Sequence, residues 1–498
     1  MSLIWEDVAR LRQRAVRREV SAVEIASAFL ERQEVTEGKI RAFLYRPPAE
    51  EILTQARSLD ERMARGEEPG LLWGIPVAIK DNMAVEGMPM TAASRILEGY
   101  HPPYDATVVK KLREAGALVA GKTNLDEWAM GSSTETSAFG PTYNPWDRSR
   151  VPGGSSGGAA AAVAAGEVPL SLGSDTGGSI RQPASFCGVA GLKPTYGHIS
   201  RYGVASLASS LDHIGPLARR VADAALLYLV LRGRDPLDGQ TWEAPGTPLE
   251  MPQPLDSLKG WRIGLPKEAF THPALDAQVK EAVLAAVELL AARGAQVEEC
   301  SLPTFHLSLE AYQVLMAMEA ASNLARFDGI RYGRRATGES LQELYAKTRG
   351  QGFGFEVKRR ILLGTYLGQA PQYPLLWERA DKVRRLLRAE MEDLFRRFHV
   401  LITPTSPTVA FPFGALERDG DLRSYADIYT IPANLTGVPA LSVPCGFAPH
   451  LPVGMQLLGP WGTEESLFRV ARTYEEEAQW PLKPPLGEGT GVAGRRQP

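Results

Sequence analysis

Two glycine- and serine-rich segments lie close together in the chain: PGGSSGGAAAAVAAG from Pro152 and GSDTGGSIRQPASFCG from Gly173. Glycines at this density let the backbone turn where other residues cannot and expose its N–H groups as donors. The serines between them offer hydroxyl nucleophiles, which need a base to be useful, and neither segment contains a histidine. A third segment, VAIKDN from Val77 to Asn82, ends an apolar run on Lys80. A lysine there is either a surface cation or a buried amine whose lowered pKa lets it act as that base. Tight turns alone account poorly for two such loops beside a strand-end lysine.

Other motifs fail on context. GALVAGKT, Gly116 to Thr123, spells the phosphate-loop pattern, but its variable positions are themselves an apolar strand, and little room follows for the required helix. Gly489, Gly491 and Gly494 spell G-x-G-x-x-G with no strand before them. Asp175-Thr176-Gly177 has no second copy with which to share a proton. Gly153 to Gly157 satisfies the G-x-S-x-G elbow of serine hydrolases, yet NPWDRSRVP before it reads as loop.

The elements that must position these loops alternate. Apolar spacing at three and four residues predicts helices near residues 23–34, 107–115, 218–231, 275–292 and 380–398. Strand-length apolar runs fall at 75–79, 117–120, 169–173, 262–266, 400–403, 440–444 and 454–459. This interleaving predicts an α/β architecture around one mixed central sheet with helices on both faces. The segment 239–254, rich in Pro and Gly, reads as a surface excursion within one domain, and 481–498 as a mobile tail after a domain spanning 1–480.

Bulk properties exclude several function classes. A net charge of −3 over 498 residues gives no global attraction for nucleic acid, and 44% apolar with 23% charged residues is ordinary for a folded protein. No run approaches the ~18 apolar residues of a membrane span. The N-terminus lacks the apolar segment of a secretory signal, and three scattered cysteines suggest neither disulfides nor zinc. The expected setting is a reducing cytoplasm.

GIPVAIKDN, GKTNLDEWAMGSS, VPGGSSGGAAAAVAAG, LGSDTGGSIRQPASFCGVAGLKPTYG and SSLDHIGPLARRVADAA together resemble the amidase signature enzymes. That resemblance implies a single amidase-signature domain with N-terminal helices packed on it and a Ser-cisSer-Lys triad of Lys80, Ser155 and Ser179. It implies a cis peptide at Gly154-Ser155 and an oxyanion site built from backbone N–H groups of Thr176, Gly177, Gly178 and Ser179.

YDATVVKKLREAGA, RYGVASLASSLDHIGP, GFEVKRRILLGTY and DIYTIPANLTGVPALSVPCGF are similar to one branch, the glutaminase A subunits of tRNA-dependent amidotransferases. For that branch the substrate is glutamine, whose carboxylate would meet Arg359, with Arg360 as the competing alignment, and whose ammonium would meet Asp427. Partners would be a B subunit using tRNA and ATP and a small C subunit that wraps this chain. No cofactor is expected in this chain, with ATP and magnesium in a partner subunit. Departures from the branch are His213 where Gln is usual, Thr136 where Asn is usual, and LGQAPQYPLLW after Tyr366. A free-standing amidase for another small amide is the alternative. A scaffold with vestigial chemistry is disfavoured by the intact Lys80, Ser155 and Ser179.

Overall fold

The computed structural model describes residues 3–243, 251–369, 373–480 and 483–486. Its frame is one sheet of eleven strands among the described residues: β1 (Phe43–Tyr45), β2 (Pro76–Lys80), β3 (Leu118–Thr123), β4 (Leu170–Asp175), β5 (Ala190–Lys193), β6 (His213–Ala218), β7 (Arg262–Pro266), β8 (Gln296–Cys300), β9 (Val400–Pro404), β10 (Ala440–Phe447) and β11 (Pro452–Leu458). The spatial order is β1-β3-β2-β4-β6-β5-β10-β11-β9-β7-β8. Strands β3, β2 and β4 run parallel, as do β9, β7 and β8, while β4-β6-β5-β10-β11-β9 pair antiparallel.

Side chains alternate faces along each strand, and the apolar clusters follow that alternation. Val77 and Ile79 of β2, Val400 and Ile402 of β9, and Leu441 and Val443 of β10 share one cluster with helices Ala22–Ile40, Thr107–Glu114, Val221–Leu231, Ala277–Ala292 and Glu464–Ala478. Leu401 and Ala440 face the opposite side, into a cluster built on helices Ser308–Leu324, Phe355–Gln369 and Tyr373–Phe395. Ala78 also faces away from Val77, against the alanine helix Gly157–Ala164. Lys80 has the parity of Ala78, so it rises beneath the start of that helix.

The interleaved pattern expected from the sequence is present, with additions. Strands β1, β5, β6 and β8 have no counterpart among the apolar runs. The helix expected at 218–231 begins at Val221, because Ala218 ends β6, pairing with Leu170 and Ala190. The helix expected from 380 starts at Tyr373 and ends at Phe395. Trp242 of the 239–254 segment donates its indole N–H to Tyr196 O at 2.9 Å; residues 244–250 lie outside the described residues. Of the expected tail, Lys483 sits 5.4 Å from the Trp5 ring centroid and Leu486 packs on the alanine helix cluster. The remainder, including Gly489, Gly491 and Gly494, lies outside the described residues.

Candidate active site

Lys80 is fully buried, and its Nζ lies 2.7 Å from Ser155 Oγ, 2.8 Å from Ser156 Oγ and 2.9 Å from Ser174 Oγ. Three hydroxyls therefore surround the amine, with no carboxylate among the described residues in ion-pair contact. Burial lowers its pKa from 10.5 to about 7, against the pull of Asp126, Asp175 and Asp212 farther off. Lys122 is the contrast. It stands one strand over, in register with Ile79 and hence on the opposite face, and its Nζ pairs with Asp81 Oδ1 at 2.8 Å. Leu118–Thr123 is one continuous strand, so GALVAGKT offers strand where a phosphate loop would be needed.

The 150–156 segment crosses the end of the sheet as a loop, with a cis peptide at Gly154-Ser155. Its surroundings fix it at both ends. Gly154 N–H donates to Gln182 Oε1 at 2.9 Å, and Ser155 O accepts from Asp126 N–H at 3.2 Å. A Cβ on Gly154 would stand 2.0 Å from Asp126 Oδ2, so the carboxylate packs directly on this peptide. Asp126 itself accepts from Ser133 N and from the hydroxyl of Thr136 at 2.9 Å, so the threonine at that departure supplies a donor. Ser156 N–H donates to Ser179 O at 3.1 Å, which ties the two glycine-rich loops together. Ser156 precedes helix Gly157–Ala164, and its hydroxyl donates to Ser174 O at 3.0 Å.

The second loop is shaped by a buried ion pair. Asp175 Oδ1 accepts from Arg181 Nη2 at 2.9 Å and Oδ2 from Arg181 Nε at 3.0 Å, with neither side chain exposed. Burial alone would raise the Asp175 carboxyl, but Arg181 and the Asn434 amide hold it well below the usual carboxylate range. Asp175 thus holds the loop in shape, and among the described residues no second carboxylate shares its proton as a protease pair would. Its Oδ1 also takes the Gly178 N–H at 2.8 Å. The Gly178 donor is thereby engaged within the protein, and the N–H groups of Thr176, Gly177 and Ser179 are the other members of the expected oxyanion set. Ser179 is 8% exposed while Ser155 and Ser156 are 0%, so it is the one serine of the three that an entering molecule can meet.

The two arginines weighed for the substrate carboxylate face different ways. Helix Phe355–Gln369 buries Val357 and Gly364, so Arg360 at the next position of that stripe points inward. Its side chain is 16% exposed, against 43% for Arg359, which turns out; both guanidinium groups pair with Glu356. Arg360 acts electrostatically on both Asp427 and Tyr312. Asp427 Oδ2 accepts from Ser132 Oγ at 2.6 Å. Burial pushes its pKa up to about 6, opposed by Ser132 and Arg360.

Several functional candidates carry little signal in the sequence. Ser174 accepts from Lys80 and from Asn82 Nδ2 at 3.0 Å, placing it directly against the amine. Tyr312, on helix Ser308–Leu324, covers Gly177 so closely that a Cβ there would meet its ring at 2.8 Å. Thr176 Oγ1 donates to Asp212 Oδ1 at 2.7 Å. The spacing of serines hints at Ser174; nothing in the sequence marks Tyr312. His213 is buried, its pKa driven far down by burial and by Lys193, and its Nδ1 lies 2.7 Å from Leu211 O. No histidine bonds Ser155 among the described residues, and a loop precedes it, so the hydrolase-elbow reading fails. Among the described residues no group of three His, Cys, Asp or Glu side chains could hold a metal, and no helix is long and apolar enough to cross a membrane.

The amidase family profile matches residues 24–468. The chain is 51% identical over 480 residues to the A subunit of glutamyl-tRNA(Gln) amidotransferase from Gloeobacter violaceus, covering 96% of this chain and 98% of that one. It is likewise 51% identical over 485 residues to the same subunit from Carboxydothermus hydrogenoformans, covering 96% and 99%. Among solved structures, the A subunit of glutamyl-tRNA(Gln) amidotransferase from Thermotoga maritima superposes with a TM-score of 0.81 at 40% identity, covering 98% of this chain and 99% of that one. Peptide amidase from Stenotrophomonas maltophilia gives 0.81 at 31% identity, covering 97% and 98%. A buried lysine among serine hydroxyls on this mixed sheet, together with a family match over most of its length, makes the chain a member of the amidase signature family.

Proposed function

We propose that this chain is the glutaminase component of a tRNA-dependent amidotransferase, with Lys80, Ser155 and Ser179 as its catalytic triad. The observation that carries the chemistry is Lys80: a buried amine with a pKa of about 7, 2.7 Å from Ser155 Oγ. Neutral Lys80 accepts the Ser155 proton while Ser155 accepts that of Ser179, whose oxygen attacks the side-chain amide carbon of glutamine. Negative charge on the former carbonyl oxygen is held by the N–H groups of Thr176, Gly177 and Ser179, each worth about 3 kcal/mol in such sites. The relayed proton returns to the leaving nitrogen, ammonia departs, and water then releases glutamate from the Ser179 ester.

The choice of glutamine rests on two opposite charges near enough to act on each other. Arg360 offers a guanidinium fork for the α-carboxylate, and Asp427, braced by Ser132, offers a carboxylate for the α-ammonium. The likeness to the amidotransferase A subunits points to the use of the ammonia: a B subunit that consumes ATP and magnesium would amidate Glu-tRNA(Gln), Asp-tRNA(Asn) or both, with a small C subunit bound around this chain.

The test is co-expression with the B and C subunits and assay with each mischarged tRNA. Glutamine-dependent amidation should vanish in Ser179→Ala and return when ammonium chloride replaces glutamine. Full glutamine-dependent activity in Ser179→Ala would overturn the triad. A chain that joins no complex yet hydrolyses simple amides would establish the free-standing amidase instead.

A further inference from the structure

Away from Lys80, the described structure holds a cavity of about 160 Å³ whose walls include Tyr100, Tyr104, Phe327 and Tyr332, with Arg326 and Asn323 at its edge. The rings meet at tilted angles, 51° between Tyr100 and Tyr332 and 59° between Phe327 and Tyr332. They line a cup and do not present a flat stacking face. Tyr104 remains 38% exposed and Ile330 46%.

The loop that supplies Tyr332 also carries Arg331, Arg334 and Arg335, all exposed. Among the described residues none of these three guanidinium groups makes an ion pair, whereas the neighbouring cations have partners. Lys347 pairs with Glu343, Arg359 with Glu356, Arg349 donates to Leu324 O and Phe327 O, and Lys358 to Gly350 O. Of the loop's two carboxylates, Asp328 accepts from Ile330 N–H at 2.8 Å, and among the described residues neither it nor Glu339 pairs with these arginines.

The loop is built to hold its shape. Arg334 N–H donates to Ile96 O at 2.8 Å and Ala336 N–H to Thr348 Oγ1 at 3.1 Å. Gly333 has φ of +79°, and a Cβ there would stand 2.3 Å from Ile96 O. A fixed loop that presents three unpaired arginines beside a cup of tyrosines has the composition of a protein-binding hot spot: Tyr and Arg around a pocket that one anchor side chain can fill.

We infer that this face is the docking surface for an acidic segment of a partner protein, which seats an apolar or aromatic anchor in the tyrosine cup and places carboxylates against Arg331, Arg334 and Arg335. The inference rests on the glutaminase reading above, and the natural occupant is the tRNA- and ATP-using B subunit. The tilted rings favour an inserted side chain over a stacked nucleobase, and unpaired guanidinium groups on a fixed loop favour carboxylate forks.

The test measures the affinity of the full chain for the purified B subunit of the same organism. The variants are the triple Arg331→Glu/Arg334→Glu/Arg335→Glu, Tyr104→Ala and, as a control, Arg385→Glu on helix Tyr373–Phe395, whose side chain is 71% exposed. The triple variant should weaken binding at least tenfold with a flattened salt dependence, and Tyr104→Ala about tenfold, with Arg385→Glu within twofold. Affinities within twofold for the triple variant and Tyr104→Ala would overturn the proposal. So would an equal loss in the control, which would mean bulk charge alone. Unchanged binding of the B subunit with weakened binding of a tRNA transcript would make this an RNA surface and overturn it too. Ammonia release from glutamine by wild type and Ser179→Ala is read separately, so failure here is distinguishable from failure of the glutaminase reading.

Discussion

Because Lys80 must be neutral to accept a proton, the turnover of glutamine should carry its titration. Burial takes the amine from 10.5 to about 7, a bias of about 5 kcal/mol against the charged form at ~1.4 kcal/mol per tenfold. At pH 7.5 roughly three-quarters of such an amine is free base, against about a thousandth of an ordinary lysine. The kcat for ammonia release at saturating glutamine should therefore be level above about pH 8 and fall tenfold per unit below about pH 7, reaching about a hundredth of the plateau at pH 5. Asp427, raised to about 6 by burial, must be ionised to hold the substrate ammonium. Its protonation adds a second downward step in kcat/KM below about pH 6 while leaving saturated kcat to Lys80.

Stability gives an independent reading of the same group. The unfolded lysine keeps its proton up to about 10.5 while the folded one loses it near 7. Between those values the unfolded state binds more protons, so the Lys80 contribution to stability rises with pH and is least favourable below about 7. Against Lys80→Met, which lacks this titration, wild type should gain about 1.4 kcal/mol per pH unit from about pH 7.5 to 9.5 in denaturant unfolding. A saturated kcat that is flat from pH 5 to 9, or that rises only above pH 9, would refute the neutral-base reasoning.

Arg360→Ala should raise the glutamine KM by about 10- to 100-fold, the loss of a charge-assisted hydrogen bond of about 1.5–3 kcal/mol, while Arg359→Ala stays within about twofold; steady-state ammonia release with each variant checks both. Arg181→Met leaves Asp175 a buried, uncompensated charge, with its carboxylate still facing the Gly178 and Ile180 N–H groups. A loss of about 3–5 kcal/mol in denaturant unfolding is expected, more than twice that of an exposed-pair variant such as Arg396→Met.

The chemistry was more legible than its geometry. Lys80 could be picked out because it ends an apolar run beside two glycine-rich loops, and GALVAGKT could be set aside because four apolar residues fill the place of a phosphate loop. The strands that escaped notice each lack the usual signal. Ala190–Lys193 is four residues long, His213–Ala218 contains Gly and Pro, and Gln296–Cys300 is an edge strand with only Cys300 buried. Helix Ser308–Leu324 buries ten of its seventeen residues, and Tyr312 stayed hidden among them. Arg359 and Arg360 are adjacent letters; only the packing of Val357 and Gly364 decides which one turns inward. Gly178 could not be separated from its neighbours by composition, since the direction of its N–H depends on Asp175 three residues earlier. Local pattern names the groups, but which way each points is decided by contacts distant in sequence.

The most direct measurement is a rapid acid quench of the assembled enzyme turning over glutamine, followed by peptide mass spectrometry of the Ser155 and Ser179 segments. A glutamyl ester on Ser179 alone is predicted, formed with a pH dependence centred near 7 and absent in Lys80→Met. An ester on Ser155, or undiminished ammonia release with no ester on Ser179, would contradict the triad.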